Sequence, residues 1–143
     1  MSQFLLDHVQ LVAVFVASGL WLAWMEVGRL MSGAQNEIST LQTTQLINQR
    51  NAVIIDVRDA TEFGTGHIPN SRHIPLEELE QRISELAKLK ARPVVLSCKT
   101  GARSGKAQRL LRKHEFTDVY VLKGGLTAWS EANLPLQKSA ATR

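Results

Sequence analysis

The sequence predicts an α/β domain with a mostly parallel sheet flanked by helices, preceded by one transmembrane helix. Val53–Val57 is a continuous β-branched run apart from Asp56, which is typical of a strand buried on both faces. Strand-like runs then alternate with helix-like segments, as in parallel α/β folds. The run His8–Met25 contains no Asp, Glu, Lys or Arg. A chain of 143 residues has room for one such domain and a short appendage.

The apolar run His8–Met25 predicts a membrane anchor. At about 1.5 Å per residue a helix of this length spans roughly 27 Å, close to the hydrocarbon thickness of a bilayer. Trp21 and Trp24 lie near its far end, where interfacial aromatic residues are common. A cleaved signal peptide is the alternative, but Met1–Asp7 carries no Lys or Arg and no clear Ala-x-Ala site follows. We therefore expect a retained single-pass anchor.

The side of the membrane on which the domain lies is predicted from two observations. Arg29 follows the apolar run, whereas nothing basic but the amino terminus precedes it, and basic residues stay on the cytoplasmic side. Cys98 is the only cysteine, and a free reactive thiol persists best in a reducing compartment. Both favour an inner (cytoplasmic) membrane protein whose domain faces the cytoplasm.

Polar and apolar patterns predict the remaining elements in order. The polar stretch Gly28–Glu37 has linker composition, and we expect a linker at residues 32–37, a domain at 38–136 and a polar tail at 137–143. Leu41–Asn48 is predicted as a short helix. Apolar residues at intervals of three and four predict one amphipathic helix: Leu76, Leu79, Ile83, Leu86 and Leu89. Further strands are predicted at Val94–Ser97 and Val119–Leu122, and further helices at Ser104–Lys113 and Leu126–Glu131.

Composition limits the classes of site. A single cysteine excludes an internal disulfide, and the four histidines are scattered without metal-ligand spacing. We therefore predict no metal and no cofactor. The formal charge of +4 belongs to the predicted domain, where basic residues cluster after Cys98: Lys99, Arg103, Lys106, Arg109, Arg112 and Lys113.

The basic cluster has two interpretations that the sequence leaves open. Cations toward the end of a helix complement its dipole. Alternatively, the cluster attracts an anionic substrate or anionic lipid head groups. A nucleic-acid partner is disfavoured, because the cluster lacks interleaved aromatic residues and any known binding module.

Cys98 stands where a strand turns into a helix, a position that suits a nucleophile. Backbone N–H groups of the loop and of the first helical turn favour a negative charge on a sulfur placed there. A buried cysteine that only fills the core is the alternative. The polar residues after it, Gly101, Arg103, Ser104 and Gly105, favour chemistry.

Two phosphate-binding motifs fit this loop poorly. A Walker-type loop needs four residues between its glycines and a Ser or Thr after the lysine, whereas Gly101 and Gly105 enclose three and Ala107 follows Lys106. A cysteine-dependent phosphatase would place five residues between Cys and Arg, whereas four separate Cys98 from Arg103. The smaller ring suits a single sulfur atom added to Cys98.

The segment Cys98–Ser104 resembles the active-site loop of single-domain rhodanese-like sulfurtransferases. Two flanking segments also resemble that family, in the expected order: Asp56-Val57-Arg58 with Glu62-Phe63 and Gly66–Pro69, then Leu122–Gly125 through Ala128-Trp129. The resemblance covers roughly residues 38–134, and one departure is Asn70, where the family often has glycine.

The resemblance implies a reaction and a set of site residues. Cys98 would take a sulfur atom from a sulfane donor such as thiosulfate, become a persulfide, and pass the sulfur to cyanide or a thiol. N–H groups of the loop would hold the persulfide charge. The implied loop residues are Lys99, Thr100, Gly101, Ala102, Arg103 and Ser104.

The supporting residues are predicted from position. Arg103 either contacts an incoming anion or buttresses the loop by pairing with a carboxylate. Asp56 and Arg58 are expected to tie loops together, with Arg58 and Glu62 in reach at helical four-residue spacing. His67 is expected to fix a turn by a hydrogen bond rather than to act as acid or base, and Trp129 to lie in the core.

A different class of function stays open at this point. The predicted anchor also fits a tethered binding module that uses the fold to recruit a protein partner at the membrane. A cysteine-dependent phosphatase is a remote third possibility.

Overall fold

The computed structural model describes residues 2–32 and 36–139. Contacts within the backbone divide the chain into two units, Met1–Gly33 and Ala34–Arg143. The first unit is the helix α1 (Ser2–Ser32). Its segment His8–Val27 is long and apolar enough to cross a membrane, and none of it is buried. Helix α1 extends past Gly28 into the polar stretch predicted as linker, because Arg29, Leu30 and Met31 are good helix formers. Residues 33–35 of that stretch lie outside the described residues.

The second unit is built on a five-stranded parallel sheet. The strands are β1 (Glu37–Ile38), β2 (Val53–Asp56), β3 (Arg72–His73), β4 (Val94–Ser97) and β5 (Val119–Leu122), and their order across the sheet is β1-β5-β4-β2-β3. Both β2 and β4 are buried along their whole length, as their apolar runs predict. The predicted fold class is confirmed.

Helices cover both faces of the sheet. They are α2 (Thr40–Arg50), α3 (Ala60–Thr65), α4 (Leu76–Leu79), a 3₁₀ helix (Ile83–Ala91), α5 (Ala102–Lys113) and α6 (Gly125–Glu131). Helix α2 begins with a capping box in which Ser39 and Gln42 each bond the other's backbone N–H.

Two hydrophobic clusters pack on opposite faces of the sheet, because successive strand side chains alternate between faces. Val94, Leu96 and Cys98 join the cluster beneath α4, the 3₁₀ helix and α5. Val95 joins the other cluster, which includes Leu126 and Trp129 of α6. Trp129 is 4% exposed, so the prediction that it lies in the core is confirmed.

The single amphipathic helix predicted over Leu76–Leu89 is wrong. The segment forms α4, which ends at Leu79, and then the separate 3₁₀ helix Ile83–Ala91. Between them the backbone of Arg82, at φ −104° and ψ 8°, leaves the α-helical region. The apolar residues Ile83, Leu86 and Leu89 are spaced by three, which is the period of a 3₁₀ helix.

The ends of the domain differ in part from the predicted boundaries. Gln137, predicted to begin the polar tail, forms an antiparallel bridge with His67 through two backbone hydrogen bonds of 2.9 and 2.8 Å. Residues 140–143 of the predicted tail lie outside the described residues.

Candidate active site

Cys98 lies at the carboxyl end of β4, where parallel strands direct residues toward a site. It is 1% exposed, and the loop Cys98–Gly101 joins it to α5. The backbone N–H of Gly101 donates a hydrogen bond of 2.9 Å to Cys98 Sγ. Gly101 reaches this position at φ 111°, a left-handed conformation that favours glycine. The loop therefore returns its own backbone to the sulfur.

The loop holds further backbone donors that lack a protein acceptor among the described residues. Within the described residues, none of the other backbone N–H groups of the loop and the first turn of α5 donates to a protein atom: those of Lys99, Thr100, Ala102, Arg103 and Ser104. The Ser104 hydroxyl is also buried without a hydrogen-bond partner. The first N–H groups of a helix have no intrahelical acceptor and bind water or ligands instead. Of these residues Ser104 is buried, whereas Lys99, Thr100 and Ala102 are exposed. The loop is therefore prepared to bind an anion close to Cys98.

The segment at the start of α6 supports the loop from the other side. The backbone N–H of Leu126 donates to Cys98 O at 2.8 Å, and both the N–H and Oγ1 of Thr127 donate to Lys99 O at 3.2 and 3.1 Å. A Cβ on Gly125 would lie 2.2 Å from Cys98 O and 2.7 Å from Lys99 O. The Gly124-Gly125 pair predicted a turn before this helix, but the sequence did not predict that the helix would hydrogen-bond to the Cys98 loop.

Arg103 is paired with a carboxylate. Its guanidinium forms a two-pronged salt bridge with Glu62, with N···O distances of 2.8 and 3.1 Å. Of the two roles left open for Arg103, the structure shows the pairing one. The hydrogen bond from Arg103 lowers the pKa of the Glu62 carboxyl, and the same bond raises the pKa of Arg103.

The predicted pairing of Arg58 with Glu62 is wrong. Helix α3 is capped by Asp59, so Arg58 precedes the helix and the four-residue helical spacing does not apply. Arg58 instead bonds Asp56 through Nε at 3.0 Å and Nη2 at 2.7 Å, and Nη2 also donates to Gly66 O at 2.7 Å. Both side chains of the Asp56–Arg58 pair are buried. The pair ties the end of β2 to the loop after α3.

His67 lies in the loop after α3 and is 6% exposed. Its Nδ1 donates to Phe63 O at 3.0 Å, and its ring stacks on Phe63 with centroids 3.8 Å apart. His73 also stacks on Phe63, with ring centroids 4.5 Å apart, and its Nε2 donates a hydrogen bond to Arg58 O at 2.8 Å. These contacts hold the turn, and none of them involves Cys98.

A small cleft lies beside the loop. It has a volume of about 160 Å³ and is lined by Val57, Asp59, Pro75, Leu76, Glu77 and Arg103. Its size suits a small anion or a single thiol side chain, and Arg103 places it next to the Cys98 loop.

The sequence and the fold match a known family. Residues 39–132 match the sequence model of the rhodanese-like domain. The chain belongs to the rhodanese-like family. Solved structures share the fold: a rhodanese-related protein from Thermoplasma volcanium superposes with a TM-score of 0.66 at 25% identity, over 73% of this chain and all of that one. The resemblance drawn from the three motifs is thereby confirmed.

The chain is also similar to individual proteins from several bacteria, over different shares of its length. "Uncharacterized protein YqhL" of Bacillus subtilis is 48% identical over 80 residues. The match covers 56% of this chain and 62% of YqhL, which is less than two thirds of that protein. "Uncharacterized protein BU052" of Buchnera aphidicola is 30% identical over 134 residues, or 93% of this chain and 92% of BU052. That match therefore extends into α1. "Thiosulfate sulfurtransferase GlpE" of Shewanella oneidensis is 35% identical over 96 residues, 67% of this chain and 93% of GlpE.

The Arg103–Glu62 pair leads to a prediction on pH. Because the folded-state pKa of Glu62 is lowered, the pair stabilises the protein at pH values above the unfolded pKa and loses this effect as the pH falls through the folded pKa. The side chains are 35% and 31% exposed, so screening limits the effect to about 0.5–1 kcal/mol. We expect Glu62→Gln to lower the thermal midpoint by a constant amount between pH 5 and 8, and less below pH 4.

Glu80→Gln is the matched control for this measurement. Glu80 is exposed and, within the described residues, forms no salt bridge. Its substitution removes the same charge without breaking a pair. Equal shifts in both variants across the whole pH range would show that the Arg103–Glu62 pair contributes nothing.

Proposed function

We propose that this rhodanese-like protein is a membrane-anchored sulfurtransferase that carries sulfane sulfur as a Cys98 persulfide. The observation that carries the proposal is the loop around Cys98: Gly101 N–H lies 2.9 Å from Sγ, and five neighbouring N–H groups have no acceptor within the described residues. This arrangement stabilises a negative charge on a sulfur atom attached to Cys98.

The first half-reaction loads the sulfur. The Cys98 thiolate attacks the outer sulfur of thiosulfate, a new bond forms between Sγ and that sulfur, and the sulfur–sulfur bond of the donor breaks. The bonding electrons leave with sulfite. Charge is conserved, because a thiolate and a dianion become a persulfide anion and a sulfite dianion.

The second half-reaction unloads it. The thiolate of an acceptor, or cyanide, attacks the outer sulfur of the persulfide, and the Sγ–sulfur bond breaks with its electrons returning to Cys98. The acceptor leaves as a persulfide or as thiocyanate, and no external oxidant or reductant is needed. The name of the Shewanella relative, a thiosulfate sulfurtransferase, supports thiosulfate as the donor.

Intact mass measures the proposed intermediate directly. The full-length chain, purified in detergent and treated with thiosulfate, is expected to gain the mass of one sulfur atom and to lose it on addition of cyanide. A chain that never gains this mass from thiosulfate or other sulfane donors would overturn the proposal.

The phosphatase alternative has a weaker structural basis. A solved structure from Rhodopseudomonas palustris, described as a possible tyrosine phosphatase, is 25% identical to this chain with a TM-score of 0.65. In the present chain, however, Arg103 is held by Glu62 rather than free to clasp a phosphate. Hydrolysis of an aryl phosphate that depends on Cys98 would favour the phosphatase.

Membrane anchoring by α1 with the domain in the cytoplasm is part of the proposal. The support is the exposed apolar segment His8–Val27, Arg29 after it, and the extension of the Buchnera match into this helix. We expect Cys98 in intact cells to resist a membrane-impermeant thiol reagent and to react after the cells are lysed. Labelling in intact cells would place the domain on the outside.

A further inference from the structure

Two further clefts lie along α5, near the candidate active site. The cleft beside the Cys98 loop and a second cleft of about 450 Å³ share Leu76 in their linings. The second cleft is lined otherwise by α5: Lys106, Arg109, Leu110 and Lys113. Lys113 also lines a third cleft of about 330 Å³, which lies next to Lys90 and Ile83. We call the second cleft the α5 groove.

The charge of the α5 groove is not neutralised by the protein itself. Lys106, Arg109 and Lys113 are exposed, and within the described residues none of the three forms an ion pair. Their spacing of three and four places them on one side of α5, over about 10 Å of helix. The groove therefore presents a row of three cations without an ion-pair partner in the described part of the chain.

The helix dipole does not explain this row. Dipole stabilisation of cations is confined to the last turn of a helix, and α5 runs from Ala102 to Lys113. Lys113 lies in that last turn, but Lys106 lies only four residues after Ala102. Of the two interpretations left open for the basic cluster, the helix dipole therefore explains Lys113 but not Lys106.

The groove also has an apolar side. Leu76 and Leu110 are partly buried hydrophobic residues packed against the core cluster, and they line the groove beside the cations. A concave surface with apolar and cationic sides fits a polypeptide segment better than the flat surface of a bilayer. The acids Asp59 and Glu77 line the cleft beside the Cys98 loop, which we call the mouth, and Glu115 lines the third cleft. Among the residues that the structure describes, no acid lines the α5 groove between them, so an acidic segment is favoured there.

The acceptor of the sulfur atom has to approach this mouth. Cys98 is 1% exposed, so an acceptor thiol has to enter beside its loop, where Arg103 lines a cleft that shares Leu76 with the α5 groove. We propose that the α5 groove is the docking surface for the sulfur acceptor, a protein whose reactive cysteine is adjacent to an acidic segment. That the bound protein is the sulfur acceptor rests on the proposed function.

A designed peptide pair tests the groove by binding. One fluorescent peptide carries three glutamates at helical spacing after a serine in place of the cysteine, and its partner carries glutamines instead. We expect the full-length protein in detergent at low salt to bind the glutamate peptide about tenfold more tightly than the glutamine peptide, and high salt to remove the difference. Equal binding of the two peptides would overturn the proposal.

Two triple variants localise that binding. Lys106→Gln with Arg109→Gln and Lys113→Gln is expected to abolish the preference for glutamate. The control, Arg72→Gln with Lys88→Gln and Lys138→Gln, removes three exposed basic residues outside the groove and is expected to keep it. Loss of the preference in both variants would show a general charge effect and overturn the proposed site.

Transfer kinetics connect the groove to the reaction. With cysteine restored in both peptides, we expect the wild-type persulfide to transfer sulfur to the glutamate peptide about tenfold faster than to the glutamine peptide. Transfer to a small neutral thiol is expected to be equally fast in the wild type and in the triple variant of Lys106, Arg109 and Lys113. A protein that never forms the persulfide contradicts the proposed function, and the binding result still decides the docking surface.

The membrane is the competing occupant, and nanodiscs distinguish it. We expect the full-length protein to bind the glutamate peptide equally well in zwitterionic nanodiscs and in nanodiscs containing anionic lipid at moderate salt. Loss of peptide binding in the anionic nanodiscs alone would show that lipid head groups occupy the groove, and would overturn the protein-acceptor proposal.

Discussion

Replacement of Cys98 by serine is expected to abolish sulfur transfer while leaving the protein folded. The hydroxyl is a far weaker nucleophile toward sulfur than a thiolate and cannot form a persulfide, so we expect turnover to fall by more than about 10³-fold. The serine oxygen can still accept the hydrogen bond that Gly101 N–H now gives to Sγ. Intact mass after thiosulfate treatment and the rate of thiocyanate formation measure the two effects.

Cys98→Ala complements this experiment, because it fills a site in the core cluster without adding a buried hydroxyl. Both variants are expected to keep the thermal midpoint within a few degrees of the wild type. Mass gain in either variant would show that the sulfur is carried at another residue. Full cellular function of Cys98→Ser in place of the wild-type gene would favour the tethered binding module over the enzyme.

The central strands were predictable, whereas the edge strands were not. Val53–Asp56 and Val94–Ser97 are buried on both faces, which requires the continuous apolar runs visible in the sequence. Glu37–Ile38 and Arg72–His73 contain two residues each, too few for any period. They are strands only because β5 and β2 lie beside them.

Local sequence rules predicted Cys98 as the candidate nucleophile and the tie between Asp56 and Arg58. They did not predict which carboxylate pairs with Arg103. Cys98 is marked by its position between an apolar run and a helix. The Glu62–Arg103 pair joins residues 41 positions apart, a separation that no local pattern reveals. Four-residue spacing favours the nearer Arg58, although Asp59 and Glu62 have the three-residue spacing of a helix N-terminus, which places Arg58 before α3. Asn70 in place of the family's glycine is explained by its φ of 63°, since asparagine tolerates the left-handed region.

Gly125→Ala is expected to disrupt the active-site loop and destabilise the domain. The added Cβ would overlap Cys98 O at 2.2 Å and Lys99 O at 2.7 Å, and both oxygens are fixed by hydrogen bonds from Leu126 and Thr127. Gly125 also has φ 56°, which costs an alanine about 1–2 kcal/mol. Together we expect a loss of about 3 kcal/mol or more, measured as a lower thermal midpoint.

Gly64→Ala separates this effect from a general intolerance of substitution. Gly64 lies in α3 with no atom within 4 Å of an added Cβ, and alanine in a helix interior gains up to about 1 kcal/mol over glycine. We expect Gly64→Ala to keep both midpoint and activity. Any Gly125→Ala protein that folds at low temperature should transfer sulfur at least about tenfold more slowly, because displacement of Cys98 O moves the sulfur relative to its N–H donors. A wild-type midpoint and rate in Gly125→Ala would mean that the start of α6 does not hold the Cys98 loop in place.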